Sequence, residues 1–253
     1  MIVRLLSLAV ILCIVSCTTV RQLDKPYDQA KTQKTYMLGT GDAAKPQPWE
    51  ITNQLTAIKE DNADLVWKTI NGEKYILVSS WKGKDQMKYY KNDSITGFYN
   101  TSKYSIWVTT APTLQNLCRD KKFGRKEGLN LRLKQMLGLP PNAKKAYFIE
   151  FWVKPADLFR PCPDAEIDDT GCGLEFPSNA TDTHKAWIND NRLGSYYNGT
   201  WDSDYPWTQL GYTYDWNEKN KMHVGMSEFV IDTSSNVVVN AFYTTEEYCK
   251  IME

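Results

Sequence analysis

The chain has 253 residues, with 30 basic and 30 acidic side chains. That length fits one large domain or two small ones. A content of 42% hydrophobic and 24% charged residues excludes global disorder, and a net charge of +0 gives no electrostatic case for a nucleic-acid partner.

Residues 1–17 read MIVRLLSLAVILCIVSC. Arg4 supplies a positive start, and Leu5 to Val15 is an uncharged apolar run. A membrane-spanning helix needs about 20 such residues, so this run is too short for one and suits a secretory signal. It ends Ile14-Val15-Ser16-Cys17: an aliphatic residue, a variable one, a small one, then cysteine. This ending resembles the lipobox of bacterial lipoproteins. The resemblance covers the signal alone. It implies that residues 1–16 are removed, that the Cys17 thiol carries a diacylglycerol, and that the protein's partner is a membrane, held through that lipid. Thr18 stands where Asp would signal inner-membrane retention in enterobacteria, which by that analogy favours the outer membrane. Nothing later in the chain is long and apolar enough to cross a bilayer.

Residues 17–48 are expected to be the lipidated cysteine and a flexible tether, because this polar stretch cannot bury enough apolar area to offset its ordering entropy. A coil of that length spans roughly 30 Å. Tyr36, Met37 and Leu38 offer the alternative of an arm docked on the domain. Residues 49–253 are expected to form a single globular domain.

The next elements follow in order. Asp64–Ile70 and Lys74–Trp81 flank Asn71-Gly72, a strong hairpin signal because a type I′ turn needs positive φ twice. Lys103–Ala111 alternates as a strand. Leu114–Lys121 reads as a short helix. Leu129, Leu133, Met136 and Leu137 share one face of another, which Gly138 and Pro140-Pro141 stop. Ala146–Val153 is apolar on both faces apart from Glu150, as in a central strand. A helix from Thr183 to Leu193 is capped by Asp182 and closed by Gly194. Val224–Ile231 and Val237–Tyr243 read as a second hairpin across 232–236. These elements predict an α+β fold: a mainly antiparallel sheet with about three short helices packed on one face.

Cys13 lies in the signal and Cys17 in the lipobox, which leaves Cys118, Cys162, Cys172 and Cys249. An even remainder in an exported chain predicts two disulfides. Count alone allows three pairings. The short turn-rich segment between them favours Cys162 with Cys172, which leaves Cys118 for Cys249. Closing a loop of roughly 130 residues would stabilise the fold by about 4–5 kcal/mol.

Several catalytic templates fail. Gly225-Met226-Ser227-Glu228-Phe229 matches a nucleophile elbow only in part, because Phe229 replaces the glycine the turn needs. Gly39-Thr40-Gly41 lacks the third glycine and the strand of a dinucleotide site, and no cofactor is called for. His184 and His223 are too few for a histidine metal site. Asp164, Glu166, Asp168 and Asp169 cluster as calcium ligands do, but their spacing reads better as a solvated acidic loop, and no metal is expected.

Two constellations remain. Glu150 and Glu228 each sit among large apolar residues, which raises a carboxyl's pKa, and paired carboxylates are the equipment of glycoside hydrolysis. The segment 196–216 is rich in rings beside Asn, Asp, Gly and Ser. There Trp201, Trp207, Tyr212 and Trp216 are candidates for stacking on a sugar or gripping a protein. The leading expectation is a cell-envelope lipoprotein with a non-catalytic domain that recognises an envelope glycan or a partner protein. An envelope hydrolase using Glu150 and Glu228 is the second, and a structural envelope protein without a small ligand the third.

Overall fold

The computed structural model describes residues 21–102, 104–196 and 205–250. Within the segment expected to be a tether, Gln29–Ala43 forms a helix, α1. Asp28 caps it by accepting from the N–H of Lys31 at 3.0 Å. The helix docks through Tyr36, Gly39, Thr40 and Ala43, all buried, while Met37 and Leu38 stay exposed. Gly39 explains the fit. A Cβ there would lie 2.9 Å from a ring carbon of Tyr214 and 3.2 Å from Trp216, so only glycine lets this helix press so close. The tether expectation fails because composition weighs a segment's average polarity, whereas one ring and two small residues suffice to hold a face.

Ten strands follow. β1 (Trp67–Ile70) and β2 (Glu73–Lys82) form the expected hairpin, with Asn71 at φ 52° and Gly72 at φ 84°. β3 (Tyr99–Asn100), β4 (Ile106–Thr110), β5 (Tyr147–Val153), β6 (Leu158–Phe159), β9 (Phe229–Ile231) and β10 (Asn236–Thr244) complete one antiparallel sheet in the order β3-β10-β5-β2-β4-β9-β6, with β1 on the free half of β2's edge. β7 (Tyr212–Tyr214) and β8 (Val224–Ser227) make a separate ribbon. β5 is central, paired to β2 on one side and β10 on the other.

The second hairpin is absent. β9 pairs with β4 and β6, and β10 with β5 and β3. The 232–236 turn instead satisfies its backbone on Thr101, whose hydroxyl donates to the Asp232 carbonyl at 2.8 Å and accepts from the Ser235 N–H at 2.9 Å. In a flat sheet β9 and β10 would stand about 19 Å apart, four strand spacings. Five residue steps reach only about 17 Å, so the sheet has to curl. Its concave side encloses the main core, which includes Ile76, Val78, Val108, Ile149, Phe151, Phe229 and Val237.

The convex side carries α2 (Ala111–Arg119), α3 (Leu129–Met136) and α5 (Thr245–Tyr248). Leu114, Cys118, Leu129, Leu133, Phe148 and Tyr248 form the core there, and Phe148 stacks on Tyr248 at 4.1 Å. The fourth long helix is α4 (Asp182–Tyr196). It begins one residue earlier than capping by Asp182 requires, and Thr181 accepts the His184 N–H instead. Disulfides join Cys118 to Cys249 and Cys162 to Cys172, with Cα separations of 5.1 and 6.6 Å. This is the expected α+β arrangement. No described helix is long and apolar enough to cross a membrane.

Candidate functional site

The sheet has a seam. β2 and β4 pair only at Val78–Thr110 and Ser79–Thr109. Beyond that point the strands part, and the Ser80 hydroxyl, rather than a backbone ladder, donates to the Trp107 carbonyl at 2.8 Å. A cavity of about 410 Å³ opens in this fork, within the range of about 300–1,000 Å³ that small-molecule sites occupy. β2 contributes Ser80, Trp81 and Lys82, and β4 contributes Trp107 and Thr109. Glu228 enters between β8 and β9. The far wall is Leu137 to Leu139, Asn191 and Ser195 of α4, and the segment Tyr205 to Trp207.

The walls are aromatic. Trp107, Trp187 and Trp207 meet with ring centroids 5.7–6.2 Å apart, and Trp107 keeps part of its surface open. Between the rings stand polar groups that the described residues leave without a hydrogen bond or an ion pair. The Thr109 hydroxyl is buried without a partner. Glu228 uses its backbone N–H on the Gly211 carbonyl at 3.0 Å, but its carboxyl has no hydrogen bond or cation among the described residues. Burial pushes that carboxyl up to about 8. Lys82 is pushed down to about 8 by burial and by the charge of Lys145. Burial lowers Lys145 as well. Both lysines line the cavity, and neither has an ion pair among the described residues, although the Lys82 ammonium lies 5.9 Å from the Tyr90 ring. Leaving such groups uncompensated costs stability, which is the mark of a site built for something else to complete.

Glu150 does not join Glu228. Across the convex face the register runs Glu150, Ser79, Thr109, and Glu228 follows as the residue before the Val108–Phe229 pair. Three strand spacings separate the two glutamates, about 14 Å, whereas glycosidase carboxyls stand about 5–9.5 Å apart. Glu150 is also satisfied. Asn240, at a bulge in β10, donates to its carboxylate at 2.9 Å and accepts the Trp152 indole at 2.9 Å. Burial raises the Glu150 carboxyl, opposed by that hydrogen bond and by Arg119. The paired-glutamate arrangement expected from sequence is therefore not formed.

The aromatic segment is reassigned as well. Tyr212 and Trp216 are each 2% exposed, and their polar ends are used internally: the Tyr212 hydroxyl on the Glu50 carbonyl at 2.8 Å and the Trp216 indole on the Leu139 carbonyl at 3.1 Å. They are core rings and cannot stack on a ligand. Trp207 is buried too, its indole held by the Pro161 carbonyl at 3.1 Å, yet it lines the cavity. Trp201 lies outside the described residues.

Other sequence candidates have structural uses. Ser227 accepts the Thr56 N–H at 2.7 Å. Gly225 sits where a Cβ would lie 2.3 Å from the Thr213 hydroxyl, so the glycine serves close packing. His184 bonds the Cys162 carbonyl, and His223 the Asp215 carbonyl. Asp164, Glu166 and Asp169 do converge within 4.8 Å, but around a buried cation. The Arg160 guanidinium donates to the Glu166 and Asp169 carbonyls at 2.9 Å each and lies 5.2 Å from the Phe229 ring.

No protein family, no curated protein and no solved structure matches this chain. The site therefore rests on its own chemistry. Sequence reading passes over Lys82, Lys145, Trp107 and Thr109. One signal was available: Ser79-Ser80 and Lys82 interrupt an otherwise apolar strand, and polar residues on a buried strand call for a partner.

Proposed function

We propose that this chain is a cell-envelope lipoprotein, anchored to the outer membrane through Cys17, whose domain binds an acidic envelope saccharide in the seam cavity without cleaving it. One observation carries the reading: the cavity sets indole walls beside a hydroxyl and a carboxyl with no partner among the described residues, and beside two lysines with no ion pair there, Lys82 meeting only the Tyr90 ring at 5.9 Å. Rings suit the apolar face of a pyranose, Thr109 and Glu228 suit its hydroxyls, and Lys82 with Lys145 suits a carboxylate or phosphate on it. A single carboxyl among the described residues that line the cavity favours binding over the two-carboxylate chemistry of hydrolysis. The unsatisfied groups argue against a purely structural protein.

The test is calorimetric titration of the protein with N-acetylmuramic acid and with neutral N-acetylglucosamine, followed by mass spectrometry for cleavage. Saturable binding of the acidic sugar, weakened about tenfold or more by Trp107→Ala, with no cleavage, supports the reading. Absence of binding by either sugar contradicts it, and cleavage moves the case to a hydrolase.

A further inference from the structure

The chain enters the described structure at Arg21, and it enters already fastened. The Arg21 guanidinium donates to the carbonyls of Cys118 and Cys249, at both ends of the long-range disulfide, and to those of Asp120 at 3.3 Å and Phe123 at 3.4 Å. The N–H groups of Leu129 and Asn130, at the start of α3, donate to the carbonyls of Gln22 and Leu23 at 3.1 and 2.8 Å. Leu23 packs against the convex-side core, and Lys25 donates to the Arg125 carbonyl at 2.7 Å. Residues 21–25 are thus tied to the face formed by the end of α2 and the 119–126 loop.

Cys17 stands four positions before Arg21. Four residues reach at most about 14 Å whatever their conformation. A lipid on Cys17 therefore brings this particular face to the bilayer, and the distance is comparable with the Debye length of about 8–10 Å at physiological salt.

The charge of the face fits that position. Lys121, Lys122, Arg125, Lys126 and Lys250 are exposed, and none forms an ion pair among the described residues. Of the neighbouring acids, Glu127 is offset by Lys219 at 2.9 Å. Asp120, Asp24, Glu246 and Glu247 keep their charge, but the five exposed cations, with Arg21 and Lys25 beside them, outnumber them. A cluster of cations beside a lipid attachment point is the arrangement that draws a protein onto anionic headgroups.

We infer that the domain lies directly on the membrane, with the basic face of Lys121, Lys122, Arg125, Lys126 and Lys250 against anionic phospholipid headgroups, instead of standing off on a tether. This rests on the lipidation of Cys17 in the reading above, but not on the cavity.

The test uses the full mature lipoprotein, reconstituted into vesicles of phosphatidylglycerol with phosphatidylethanolamine, and separately into phosphatidylcholine vesicles. Surface lysines are acetylated, and each site is read by mass spectrometry. The same digest reports whether the Cys17 peptide carries lipid. The expected result is a lipidated Cys17, with labelling of Lys121, Lys122, Lys126 and Lys250 slowed several-fold in the anionic vesicles and restored by high salt, while Lys84 is labelled equally in both. A lipidated Cys17 with the four lysines labelled equally in both vesicles overturns the inference and leaves the anchor standing. A Cys17 without lipid overturns the anchor and the inference with it. Protection that appears only on adding envelope protein or glycan also overturns the inference, since the face then serves another partner.

Discussion

Two sets of charge on the α3 side of the molecule, the first built on the fully buried Asp215 and the second partly buried, are treated in opposite ways. Asp215 is fully buried, and Arg132 meets it with two parallel hydrogen bonds of 2.9 and 2.7 Å. Asp215 also accepts the Asn217 N–H at 3.1 Å and the Asn220 amide at 2.9 Å, so its lone pairs are used. In the cavity, Glu228, Lys82 and Lys145 receive nothing comparable from the described residues. The first set holds α3 to the β7–β8 ribbon, and its geometry closes on itself. The second is left open. Counting partners separates scaffold from site where residue type does not: both sets are carboxylates and cations among aromatic rings.

The sharpest way to break this comparison is to remove one partner from each set. Asp215→Ala leaves Arg132 partly buried and without its carboxylate, and urea denaturation should show a loss of about 3 kcal/mol. A loss under about 1 kcal/mol would mean that the pair is not scaffold. Glu228→Gln should have the opposite sign. The unfolded chain gives up this proton near the ordinary carboxylate value of 4.5 and the folded chain near 8. Folding thus takes up a proton between those limits, and stability falls as pH rises through them. The Gln variant escapes that cost. Its gain should be absent below about pH 4.5, grow by at most about 1.4 kcal/mol per pH unit, and level off above pH 8 at about 2–4 kcal/mol, because water reaching the cavity screens part of it. Urea midpoints across that range decide it, and a flat difference contradicts the shift.

Lys82→Met sharpens the other end of the cavity. The folded lysine gives up its proton near 8 and the unfolded one near 10.5. The cost of burying its charge is therefore complete below pH 8 and relieved as pH rises toward 10.5. The Met variant should be more stable by about 1–3 kcal/mol at pH 7, with the gain fading above pH 8, and should bind acidic sugar more weakly. The smallest effect belongs to Ser227→Ala, which removes one hydrogen bond to Thr56 and should cost about 1 kcal/mol with unchanged ligand affinity. A Ser227 variant that folds normally but cannot bind would place the site elsewhere.

These contrasts also explain what could be read from sequence. The first hairpin is legible because Asn71-Gly72 allows a single tight solution and the alternation beside it agrees. The α3 stripe and its stop at Gly138 are legible for the same reason, since short-range chemistry decides them. The disulfides follow from parity and spacing. The second hairpin misleads because its strands obey the local rule while Thr101, more than 130 residues away in the chain, takes the turn's backbone groups. The docking of α1 misleads because Gly39 matters only once Tyr214 and Trp216 are in place. The aromatic segment misleads through composition: Tyr212 and Trp216 have the residue types of a binding surface, but their hydroxyl and indole groups are consumed by carbonyls of distant segments. Glu228 is singled out by its apolar neighbours, and burial does raise its carboxyl. Its counterpart Glu150 shows the same pattern, and only the bulge at Asn240 reveals that it is satisfied.

The most direct test of the cavity assignment is the indole N–H region of a proton–nitrogen NMR spectrum recorded while N-acetylmuramic acid is added. The protein has 9 Trp, so each is its own probe. The signals of Trp107 and Trp207 should move and saturate together, while Trp152 and Trp216, which do not line the cavity, stay in place. Movement confined to Trp49 or Trp201, or none at all, would contradict the assignment of the seam cavity as the binding site.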